Sequence, residues 1–195
     1  MSLKKVLLED INKDIVASII NLISSKLSLD IMDYSDQYNF VGKGRYAKVF
    51  SINDIPDKVI RIEDKPWESF FMDIEGDWNL KNVVKVYYSD IIDVNMGNKK
   101  MPIEITVMEK LEPIDEDLLR ELGYIENRHG NIGDFIMNNN WEMMSDIDEK
   151  LHPILRDVER GIEELGGIYL NDLHSGNIMY DSKTNRYKII DLSNT

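Results

Sequence analysis

The chain has 195 residues, 43% of them apolar, which suits one or two modest globular domains and excludes a disordered or fibrous polymer. Its 23 basic and 36 acidic residues leave a net charge of -13, which argues against a general affinity for nucleic acid or for an anionic membrane. With no cysteine, disulfide frameworks and thiol chemistry are excluded, and a reducing cytoplasmic setting is expected.

In chain order, Val6, Leu7, Ile11, Ile15, Ile19, Ile20, Ile23 and Leu27 recur at helical spacing. They predict an amphipathic helical extension over residues 1–37. Such a face either packs on the lobe that follows or serves as a partner or dimer contact. Lys4 and Lys5 lead into Glu9 and Asp10 instead of an apolar run, so no signal peptide is expected. No stretch reaches the ~20 apolar residues of a membrane helix.

Val41-Gly42-Lys43-Gly44-Arg45-Tyr46-Ala47-Lys48-Val49-Phe50 sets two glycines between apolar alternations. Glycines let backbone amides approach phosphate oxygens closely. Strand pattern rather than helix pattern follows, which disfavours a dinucleotide-binding loop. Asp57 to Ile62 reads as a strand after the turn at Ile55-Pro56-Asp57, with Val59 and Arg61 on one face and Lys58 on the other.

Trp67, Phe70, Phe71, Ile74 and Trp78 predict a helix over 66–78 with Glu68 and Glu75 on it. Asn82 to Tyr87 then enters a strand, and Ile103 to Leu111 alternates as another. Asp115 to Leu122 reads as helix and Asn131 to Asn140 as loop. A further helix, capped by Ser145 or Asp146, runs to about Leu165, where Gly166-Gly167 stops it. His129 and His152 have no neighbours at metal-ligand spacing. Ile178-Met179-Tyr180 and Tyr187-Lys188-Ile189-Ile190 around Ser182 to Asn185 read as a hairpin.

Asp172, Asn177 and Asp191 flank this hairpin. A transferring phosphoryl group spreads negative charge that metal ions neutralise while a carboxylate orients the attacking hydroxyl. Asn177 and Asp191 offer the hard oxygens that magnesium prefers, which leaves Asp172 to accept the hydroxyl proton.

Asp172-Leu173-His174-x-x-Asn177 followed by Ile190-Asp191 resembles the catalytic loop and metal-binding aspartate of the protein-kinase-like superfamily. The upstream signals follow that family's order. The resemblance implies an α+β fold: an antiparallel-sheet N-lobe with one main helix over 38–111, and a minimal, mostly helical C-lobe over 112–195. It implies ATP and Mg2+ as cofactors. Gly42, Gly44 and Val49 would form the nucleotide loop, Arg61 and Glu75 the phosphate-contacting pair, and Glu109 to Leu111 the adenine edge. Asp172 would be the base, assisted by His174, and Asn177 and Asp191 the metal ligands.

Two departures stand out. Arg61 takes the place of the usual lysine, and a planar guanidinium does not substitute freely for an ammonium. Leu192-Ser193 replaces the usual Phe-Gly. Asp-Leu-His-x-x-Asn is also similar to the aminoglycoside and choline phosphotransferases. The expected activity is a Ser/Thr kinase acting on a protein or on itself. The alternatives are a small-molecule phosphotransferase and a pseudokinase that binds a nucleotide or partner without turnover.

Overall fold

A computed structural model describes residues 38–43, 47–52, 55–63, 71–77, 79–96, 99–138, 147–167 and 173–191. The expected helical extension at residues 1–37 lies outside them, as do Gly44 and Asp172. The chain is mixed α+β and divides into two compact units. One holds the described residues through Gly76 with Val86–Lys110. The other holds Asp77–Lys85 and the described residues from Leu111 onward.

The first unit is an antiparallel sheet of β1 (Tyr38–Lys43), β2 (Ala47–Ile52), β3 (Ile55–Glu63), β4 (Val86–Met96) and β5 (Lys99–Glu109). The strand order is β1-β2-β3-β5-β4. β3 is central, so its residues from Val59 to Glu63 are all buried, and an arginine at 61 cannot be a solvated charge on an edge. Directly paired residues share a face. Phe50, Ile60 and Val107 therefore form one apolar row, with Ile62 and Ile105 beside it. The opposite face carries Arg61, Thr106 and Ser89 in one row and Glu63 and Glu104 in the next.

That polar face is hydrogen-bonded internally, as burial requires. Ser89 Oγ donates to Glu104 Oε1 at 3.1 Å and lies 3.2 Å from Thr106 Oγ1. The helix expected over 66–78 is described only in part, and Phe71 to Gly76 forms turns instead. Gly76 adopts φ +74°, a left-handed geometry that breaks a helix, and its amide donates to the Val86 carbonyl at 3.1 Å.

The second unit contains α1 (Glu116–His129), α2 (Ile132–Met137), a 3-10 turn at Glu149–Leu151 and α3 (His152–Glu164). A small sheet is built from β6 (Glu112–Pro113), β7 (Ile178–Asp181) and β8 (Arg186–Ile189) in sequence order. α1 starts on Asp115, whose side chain accepts from the Asp117 amide at 2.9 Å. It runs past the expected Leu122 because Ile125 extends the buried face, and it ends at Gly130 with φ +97°.

The stretch expected as loop from Asn131 holds α2. Asn131 caps it by accepting from the Asp134 amide, and Ile132, Phe135 and Ile136 bury its inner face. Short helices of this kind are set by their cap and by tertiary burial, not by a long periodic pattern. The third helix begins later than expected, with Asp148 capping the 3-10 turn and Pro153 in the first turn of α3. Ile154, Leu155, Val158 and Ile162 are its buried stripe. Gly166 and Gly167, both at positive φ, end it as expected.

Segment 81–84 is fastened to this unit from both sides. Glu164 Oε2 accepts from the Lys81 and Asn82 amides at 2.8 Å each. The Val84 amide donates to the Ile189 carbonyl at 2.8 Å, and the Ile189 amide to the Asn82 carbonyl at 3.0 Å. Among the described residues no helix is long and apolar enough to cross a membrane.

Candidate functional site

In the first unit, Gly42 and Val49 are register partners beside a bulge in the β1–β2 pairing. A Cβ on Gly42 would meet no atom within 4 Å, so packing does not ask for glycine there. Val49 is half-buried and pairs across to Arg61 on β3. Three of the expected nucleotide-side residues are thus contiguous. Glu109 closes β5 opposite Lys58, and the next amide, of Lys110, donates to the Asp57 carbonyl at 2.9 Å.

Arg61 forms an ion pair with Glu63, which follows it on the same strand face, and both side chains are buried. Its guanidinium also lies 4.8 Å over the Phe71 ring. Glu75, the acid expected to pair with Arg61, accepts from the Ser89 amide at 3.2 Å and is exposed. The cation of β3 therefore takes its carboxylate from its own strand. Nearby, burial and a hydrogen bond to Asp90, helped by the charges of Asp90 and Glu75, push the Tyr88 phenol up to about 12.

In the second unit, Leu173 is buried and its carbonyl accepts from the Ile132 and Gly133 amides at 3.0 and 3.4 Å. His174 is exposed, and its Nδ1 accepts from the Gly176 amide at 3.0 Å. A Cβ on Gly176 would lie 2.8 Å from that ring, which accounts for glycine at this position. Residues 175–177 form a 3-10 turn in which the Asn177 amide donates to the His174 carbonyl at 2.9 Å. The Asn177 carbonyl then accepts from the Ile190 amide at 2.9 Å.

That last bond brings Asn177 to the residue that precedes Asp191, where β7 and β8 meet the loop. An amide oxygen and a carboxylate at one end of one hairpin are a fitting donor pair for Mg2+, which takes one or two protein oxygens and completes its shell with phosphate and water. Leu111, expected at the adenine edge, is buried beside the start of β6. A separate cavity of about 370 Å³ lies against α1, lined among others by Tyr124, Arg128, His129 and Ile147, and none of the expected site residues borders it.

No protein-family model matches the chain, and no curated protein is similar to it.

Three groups near the loop carry no sequence signal that marks them. Glu126 on α1 accepts from the Ser175 amide through Oε1 and from the Ser175 hydroxyl, at 3.1 Å, through Oε2. Asp157 on α3 accepts from the Tyr187 amide at 2.9 Å. Asp181 and Lys188 form a buried ion pair of 2.9 Å across the hairpin. The first two link residues that only the fold brings together.

Proposed function

We propose that this chain is an ATP- and magnesium-dependent phosphotransferase of the protein-kinase-like kind, acting on a Ser or Thr hydroxyl of a protein or of itself. The observation that carries this reading is the Asn177 carbonyl bonded to the Ile190 amide, which holds Asn177 and Asp191 at one end of a single hairpin. The sheet order, with Gly42 near the end of β1 and a buried cation on β3, supports the same reading.

In this mechanism the acceptor hydroxyl attacks the γ-phosphorus, the bond to the β,γ-bridging oxygen breaks, ADP leaves, and the hydroxyl proton passes to Asp172. Bound Mg2+ supplies charge neutralisation at the phosphates. Asn177 and Asp191 would hold that ion, and Gly42 would be a phosphate-contacting residue. His174 shapes the 3-10 turn that carries Asn177, its Nδ1 accepting from the Gly176 amide.

One observation favours a second reading, a nucleotide-binding pseudokinase. Arg61 is already paired with Glu63 and stacked on Phe71. The test is incubation of the full chain with γ-labelled ATP and Mg2+ beside an Asp172→Ala variant, following label on protein and phosphate release. Label that disappears in the variant supports the kinase reading, and label that survives refutes Asp172 as base. Nucleotide binding without transfer selects the pseudokinase, and no binding refutes both.

A further inference from the structure

The loop that carries Asn177 is held at points outside itself. The Leu173 carbonyl is taken by the first two amides of α2, and the Asn177 carbonyl by Ile190. Between these lies Ser175, a buried residue whose backbone and side chain both point at Glu126. A carboxylate that accepts one amide and one hydroxyl fixes its partner in position and in rotation, as charge-assisted bonds do strongly. Glu126 stands in the last turn of α1, where its carbonyl accepts from the Gly130 amide at 2.9 Å, so the anchor rests on a helix with its own cap and buried stripe.

We propose that Glu126 is the positioning residue of this loop: by gripping Ser175 it sets the place of Asn177 and so the affinity of the metal-nucleotide site. This rests on the phosphotransferase reading above. It adds a residue 49 positions away in sequence that touches neither metal nor substrate. The relation is that of an outer-shell group to a ligand, where loss typically costs about 10- to 100-fold in metal affinity.

The test uses the full chain and two readouts, affinity for Mn2+-ATP by electron paramagnetic resonance and amide hydrogen exchange over residues 174–178. Glu126→Ala is expected to weaken Mn2+-ATP at least about tenfold and to speed exchange in the loop. Glu126→Gln is expected to restore most of both, because its carboxamide oxygen accepts from the Ser175 amide while its NH2 donates to the hydroxyl. Should Glu126→Ala not fold, Ser175→Ala tests the same link, with a smaller loss from the hydroxyl bond alone.

Wild-type affinity and wild-type exchange in Glu126→Ala, or in Ser175→Ala where that variant stands in, would overturn the role. A lowered melting temperature with unchanged Mn2+-ATP affinity would overturn it too, since that is the mark of a structural contact only. Wild-type protein that takes up no Mn2+-ATP would refute the phosphotransferase reading and this role with it. Those failures are told apart by the wild-type measurement.

Discussion

Lys188 Nζ and Asp181 Oδ2 stand 2.9 Å apart across the β7–β8 hairpin, with side chains only 8% and 7% exposed. A pair so removed from water is costly to break, because the survivor keeps its desolvation without its attraction. Lys188 also lies three residues before Asp191 on the strand that leads to the expected metal ligand. Lys188→Met is therefore expected to destabilise the chain by about 3 kcal/mol in urea unfolding. The double variant Asp181→Leu, Lys188→Met should recover much of that loss. A single variant as stable as wild type would show that the pair contributes nothing.

The same pair makes an acid prediction. Burial alone would raise the Asp181 carboxyl, but hydrogen bonds from Lys188 and Thr184, the Lys188 charge and the Lys183 amide together hold it below its ordinary value. A depressed folded pKa stabilises the fold above the unfolded carboxyl value of about 3.9 and loses that contribution as pH falls through the folded value. The stability gap between wild type and Asp181→Asn should be full at neutral pH and close in stronger acid. A gap that does not change with pH would contradict this.

Tyr88 predicts the alkaline limb. Its phenol is raised from 10.0 to about 12, so its contribution is fully present below pH 10.0 and is lost as pH climbs toward 12. Tyr88→Phe should flatten the decline in stability over that window and remove part of the late phenolate absorbance of the wild type. Equal slopes in both proteins would remove Tyr88 as the cause.

Arg61 and Glu63 test whether the β3 cation is structural. Replacing Arg61 by Met strips a buried carboxylate of its guanidinium partner and should cost about 3 kcal/mol. Arg61→Lys should cost less, since it keeps the charge while losing the planar contact with Phe71. Equal losses in both variants would assign the stability to stacking on Phe71 instead of the ion pair.

Gly161 is a packing prediction. A Cβ there would lie 2.8 Å from the Asn82 carbonyl oxygen and 2.9 Å from Ile189 Cδ1. The first of these is backbone, which cannot move aside cheaply. Gly161→Ala should lower stability by about 1 to 3 kcal/mol despite alanine's better helix propensity. A melting temperature at or above wild type would show that segment 81–84 yields.

Elements were readable wherever one periodic pattern dominates. β3, β5, the β7–β8 hairpin and the stripe of α3 follow local alternation or 3.6-residue spacing, and the glycine pair at 166–167 ends α3 as expected. α2 was not readable, because its cap and three buried side chains span too few residues to form a pattern. The turns at Phe71 to Gly76 escaped for the opposite reason. Their apolar spacing mimics a helix, but the Gly76 geometry and its bond to Val86 interrupt one.

The chain's own order of residues sufficed to put an amide just before and a carboxylate just after one hairpin, and glycines ahead of a strand bearing a cation. Those are local facts, set by spacing along a few turns and strands. The partners of these groups could come only from the folded chain. Arg61 faces Glu63 because β3 is central and buries that face, and Ser175 meets Glu126 across 49 residues because α1 is laid beside the loop. Sequence specifies which donors and acceptors exist. Folding removes them from water, and once buried each must take the partner that packing has brought within reach.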